Sequence, residues 1–171
     1  MFDKLVEIVI QFAELFKFWV VMAPFEGGVK LRLGKYVKNL EPGWNWMIPF
    51  GIDQYEHEHI VPRTHTLDPQ SVTLKDGRQV GFQAVITYKV RDIKVALLEV
   101  EDSEHAIKDA CAGTIAHTVA VCTWDELVQS EEWVDRVLTA VRKRGFKFGL
   151  EITSVQFSTL ALVKTLRILN R

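Results

Sequence analysis

The side chains in this chain that could do chemistry are few. His57 and His59 stand one residue apart in "YEHEHI". On a strand that spacing turns both rings to one face, with Glu56 and Glu58 opposite. Two imidazoles could begin a zinc site, but no third ligand stands at a ligand spacing, so a polar strand face is the simpler reading. His65 lies further on, and His105 and His117 fall in a helical stretch where neither reads as a base. Cys111 and Cys122 are about three helical turns apart, on one face but too distant to bridge. They read as small core residues in a reducing compartment. The sequence holds no nucleophile elbow, phosphate loop, paired-cysteine motif or zinc-protease signature. No catalytic residue, metal or cofactor is therefore expected. The basic run "RKRGFKF" could meet phosphates, yet cations closing a helix explain it more simply. A formal net charge of -1 supplies no global attraction to nucleic acid, and none is expected as a partner.

With chemistry sparse, the apolar residues carry the reading. A chain of 171 residues, 48 % apolar and 25 % charged, can bury one good core or two small ones. The N-terminus has no small-residue cleavage site of a signal peptide. Its stretch "LVEIVIQFAELFKFWVVM" is interrupted by Glu7, Gln11, Glu14 and Lys17, which form one polar stripe on a helix. Leu5, Ile8, Phe12, Leu15, Phe16 and Trp19 lie around that stripe. A lone span would bear about 2–3 kcal/mol for each carboxylate. A helix in the interface avoids that cost by turning the stripe to water, and a helix among copies of itself hides it in a bundle. Packing on the protein's own core is the plainer alternative.

After Pro24, "GGVKLRLGKYV" alternates Val29, Leu31 and Leu33 against Lys30, Arg32 and Lys35, a strand with one wet face. "EPGWNWMIPFGID" combines the glycines and prolines of a loop with two indoles. An extended segment through Pro62 follows, then a hairpin at Asp76-Gly77. Next come a short helix over 93–100 and a longer one from Ser103. Thr123 with Glu126 has the form of a capping box. A helix after Ser130 ends at Gly145, and "LEITSVQF" is the last strand. Leu160, Val163 and Leu166 have the spacing of one short amphipathic helix.

The joint occurrence of "VKLRLGKYVKNLEPGWNWMIPFGID", "VTLKDGRQVGFQAVITYKVRD", "ALLEVEDSEHAI" and "TWDELV" resembles the SPFH family (stomatin, prohibitin, flotillin; also called Band 7), from about Pro24 to Phe157. The resemblance implies an α+β fold. A membrane-associated helix (1–23) precedes the SPFH domain (24–158). That domain divides into a membrane-proximal, β-rich part (24–68) and a second α/β part (69–158). A short tail or helix follows (159–171). It implies a non-enzymatic scaffold on a lipid bilayer that forms homo-oligomeric rings or cages and organises a membrane patch. A regulatory module restraining a membrane protease or transporter is the alternative. The aromatic stretch would be the membrane-facing tip, through Trp44, Trp46, Met47, Ile48 and Phe50, where indoles satisfy both an apolar ring and a polar N–H. Glu7, Glu14, Lys17, Leu160, Val163 and Leu166 are the expected contacts between copies. Relatives commonly continue into a long coiled-coil arm, so the short tail here leads to the expectation of a flat ring or an accessory subunit.

Overall fold

The computed structural model describes residues 18–163. The expected contacts Leu5, Glu7, Ile8, Phe12, Glu14, Leu15, Phe16 and Lys17, and Leu166 at the other end, lie outside the described residues.

The first part is all β. Strand β1 (Trp19–Met22) pairs antiparallel with β4 (Gly43–Trp46) as a two-stranded ribbon. A three-stranded antiparallel sheet has the order β3 (Lys35–Leu40), β2 (Glu26–Arg32), β5 (Asp53–His59). Trp19 to Met22, expected at the end of a helix, are thus extended. Tryptophan and two valines favour a pleated surface, and β4 offers them a complete ladder. The Gly27-Gly28 pair lies inside β2. A Cβ on Gly28 would stand 2.7 Å from the Glu56 carbonyl oxygen, so the close approach of β5 requires glycine there.

The second part is a sheet covered by helices. Strand β8 (Gln79–Val90) is its spine, paired along its whole length with β9 (Leu150–Leu162). Along the other edge β8 pairs with β6 (Arg63–Thr66) and β7 (Gln70–Thr73), end to end. Alternation in β8 turns Val80, Phe82, Ala84, Ile86 and Tyr88 inward. The hairpin at Asp76-Gly77 forms as the turn residues require, with Gly77 at φ +82°. Strand β9 continues to Leu162, so Leu160, expected on a helix, stands in the ladder opposite Phe82. A full-length β8 edge to pair with outweighs the local helical spacing. Val163 donates its N–H to the Gln79 carbonyl.

The expected short helix forms over 93–99, widened to a π-helical turn at Val95–Glu99. Helix α1 (Ser103–Ala120) buries Ile107, Cys111, Ile115 and Val119. Helix α2 (Trp124–Gln129) opens on a complete capping box, Thr123 with Glu126, and Asp76 also accepts from the Trp124 N–H at 3.0 Å. Helix α3 (Glu132–Gly145) buries Trp133, Val137 and Val141. Ser130 Oγ accepts from the Glu132 N–H at 3.1 Å, satisfying one orphan donor. The faces of α1 and α3 close over Ile86, Leu150, Ile152 and Val155 as one core. Gly149, at φ +72°, accepts from both the Arg91 and Asp92 N–H groups at 2.9 Å, tying the start of β9 to the end of β8. The architecture is α+β.

A candidate membrane-facing tip

The first half of the aromatic stretch is strand β4, and residues 49–52 form a turn before β5. In the β1–β4 ribbon Trp19 stands opposite Trp46, and Val21 opposite Trp44. Residues directly opposite share a face, as do residues two apart. Trp19, Val21, Trp44 and Trp46 therefore occupy one side of the ribbon, 48 %, 64 %, 57 % and 67 % exposed. Trp19 stacks on Trp44 with centroids 5.1 Å apart, and Trp46 meets Trp44 edge-on at 5.8 Å. Ile48 and Phe50 are also exposed, and Phe18 beside them too. The opposite side of the ribbon faces inward with Met22 and Asn45. Asn45 Nδ2 donates to the Glu41 and Gly43 carbonyls, which fixes the bend before β4. Met47 is the exception among the expected tip residues. Its side chain is buried, and its N–H donates to the Phe18 carbonyl at 2.8 Å, continuing the ladder. Strand alternation, not loop composition, decides this.

Behind the ribbon lies a buried ion cluster. The Asp53 side chain has no exposed surface; Lys30 Nζ is 2.6 Å from its Oδ2 and Arg32 Nε 2.8 Å from its Oδ1. Oδ2 also accepts from the Ile48 N–H at 2.7 Å. Lys30 Nζ donates in addition to the Trp46 carbonyl at 2.9 Å. The Lys30–Asp53 pair thus joins β2, β5 and the backbone on both sides of Met47. The Arg32 hydrogen bond, outweighing burial and aided by Lys30 and the Ile48 N–H, holds the Asp53 carboxyl well below the usual carboxylate range. Lys30 was expected on the wet face of its strand and is instead buried. Leu33, expected inside, is 77 % exposed at φ +49° in the turn after β2. No sequence spacing announces this cluster, because Asp53 is more than twenty residues from both cations.

The other polar residues gather elsewhere. Arg63 bridges Glu58 of β5 and Glu104 of α1, and His65 Nε2 lies 2.9 Å from Glu104. This set joins the first sheet to the second. His59 stacks on Phe25, while His57 sits beside Tyr55. Among the described residues no group of three His, Cys, Asp or Glu side chains could hold a metal ion. Both cysteines are buried thiols, and burial pushes Cys111 up to about 12. Among the described residues no helix is long and apolar enough to cross a membrane.

The α+β domain thus sets a buried ion cluster directly behind an exposed aromatic ribbon. The chain belongs to the SPFH domain / Band 7 family, whose model matches residues 21–167. It is 31 % identical over 138 residues to an uncharacterized protein of Methanocaldococcus jannaschii, covering 80 % of this chain and 69 % of that one. To a Band 7 protein of Drosophila melanogaster it is 30 % identical over 107 residues, covering 61 % of this chain and 21 % of the other. To Protein HflK of Vibrio parahaemolyticus it is 24 % identical over 143 residues, covering 78 % and 34 %. The chain thus spans about two thirds of the archaeal protein and about a third or less of the other two. Proteins of this family associate with membranes.

Proposed function

We propose that this protein is a non-enzymatic membrane scaffold that attaches to a bilayer through the β1–β4 ribbon and self-associates on it as a ring. The observation that carries this reading is the single exposed face made by Trp19, Val21, Trp44 and Trp46. Three indoles held side by side suit the interfacial layer, where the ring is buried and the N–H stays hydrated. Ile48 and Phe50 extend the same contact. Each buried aromatic contributes about 1.5–3 kcal/mol, so the face can hold the domain on a surface without a charged attraction. Family membership supports the membrane; the ring follows from the resemblance stated above. The triple variant Trp19→Ser/Trp44→Ser/Trp46→Ser, expressed as the full chain, should float with neutral phosphatidylcholine vesicles far less than the parent while melting at a similar temperature. A variant that stays fully vesicle-bound would refute the tip as the attachment point.

A further inference from the structure

Charge is segregated in the second half of the chain. Positions 123–135 hold five acids and no base, and positions 136–147 hold five bases and no acid. All ten side chains are exposed. Within the described residues none of them belongs to an ion pair. Helix α3 joins the two ends, with Glu132 and Asp135 in its first turn and Arg142, Lys143 and Arg144 in its last, on the order of 15 Å away.

The basic end is shaped as well as charged. Lys143, Arg144 and Lys147 line a groove of about 630 Å³ between α1 and α3. Small residues, Ala110, Gly113 and Ala140, line it elsewhere. A Cβ on Gly113 would meet nothing within 4 Å, so packing within the domain does not require the opening there. Asp109 is the one acid at the groove, and it faces His105 at 3.9 Å. Compensation of the helix dipole accounts for charge in the first and last turns of α3. It does not account for Lys147 or for the groove.

We propose that this groove receives the acidic end of a second copy of the chain, Asp125-Glu126 with Glu131-Glu132, so that copies associate head to tail. The inference rests on the self-association proposed above and names its surfaces. The two ends carry charge of opposite sign at different places on one molecule. A contact between unlike surfaces leaves each copy with one free groove and one free acidic end, and it repeats until it closes as a ring or runs on as a filament. Exposed pairs are individually weak, so the contact depends on several acting together and on salt. Anionic lipid is the competing occupant; a second copy is favoured because the chain itself presents exposed, unpaired charge of the matching sign.

The test uses the full chain in mild detergent with two charge-reversed variants, Lys143→Glu/Arg144→Glu/Lys147→Glu and Asp125→Lys/Glu131→Lys/Glu132→Lys. Each alone should run as a small species, at least tenfold weaker in self-association than the parent, and an equimolar mixture should rebuild the parent-sized particle. The parent should itself disperse near 1 M salt, where the screening length falls to about 3 Å. The neutral variant Lys143→Gln/Arg144→Gln/Lys147→Gln should be weakened without repulsion, and it decides the matter if a reversed variant fails to fold. A parent particle matched in size by any of the variants alone would overturn the inference and leave self-association standing. A parent that is monomeric in detergent and on vesicles would remove self-association itself. Loss of binding to phosphatidylserine vesicles with particle size unchanged would assign the groove to lipid and overturn the contact.

Discussion

Lys30 Nζ and Asp53 Oδ2 are 2.6 Å apart, with side chains 8 % and 0 % exposed, and each also holds a backbone group of the tip. Lys30 grips the Trp46 carbonyl and Asp53 the Ile48 N–H, so the pair flanks Met47 and sets the ribbon on the sheet.

Asp53→Ala should destabilise the domain by about 3–5 kcal/mol, because it strands a buried ammonium. The double variant Lys30→Met/Asp53→Leu removes both charges and should recover most of that loss. Chemical denaturation followed by tryptophan emission measures both. Equal destabilisation of the single and double variants would mean that tip geometry rather than buried charge sets the cost.

Acid should loosen the tip at low pH only. The folded carboxyl of Asp53 lies well below the ordinary value of 3.8, so its stabilising contribution is full above that value. It is lost as pH falls below about 4 toward the folded value. Tryptophan emission of the parent should stay constant from neutral pH to about 4, and stability should then fall more steeply than in Asp53→Asn. Parallel acid profiles for the two proteins would contradict this.

Two neighbours in sequence should separate by role. Met47→Ser removes a buried side chain and should cost about 2–4 kcal/mol of stability. Trp46→Ser alters a side chain that is 67 % exposed and should change stability by less than about 1 kcal/mol while weakening vesicle binding. Melting curves and flotation on the same samples give both readouts. A larger loss of stability at Trp46 than at Met47 would reverse the assignment.

The thiols should be silent in the native state. Cys111 is fully buried, and burial raises it to about 12, so almost no thiolate exists at neutral pH. Cys122 is raised in the same direction, chiefly by burial. A thiol reagent such as a disulfide dye should react at the rate of unfolding, and Cys111→Ala should cost only a little packing and leave membrane binding intact. Fast labelling of either cysteine in the folded protein would show an opening absent from this structure.

Sequence legibility followed the range of the interactions. The capping box at Thr123 and Glu126 and the turn at Asp76-Gly77 are set by residues within a turn of one another, and both were readable. The ribbon was not. Residues 19–22 have the composition of an apolar helix end, and 43–46 that of a loop. Only their pairing across more than twenty residues makes both of them strands.

Sequence alone therefore determined the family, the α+β class and the presence of exposed aromatics near Trp44, because periodicity and motif order are local properties of the chain. Tertiary structure decided which aromatics share a face, that Met47 turns inward, and that Lys30 is buried against Asp53. Those outcomes depend on strand register. A ladder fixes register between distant segments, and a shift of one residue would have exchanged every inward side chain for an outward one.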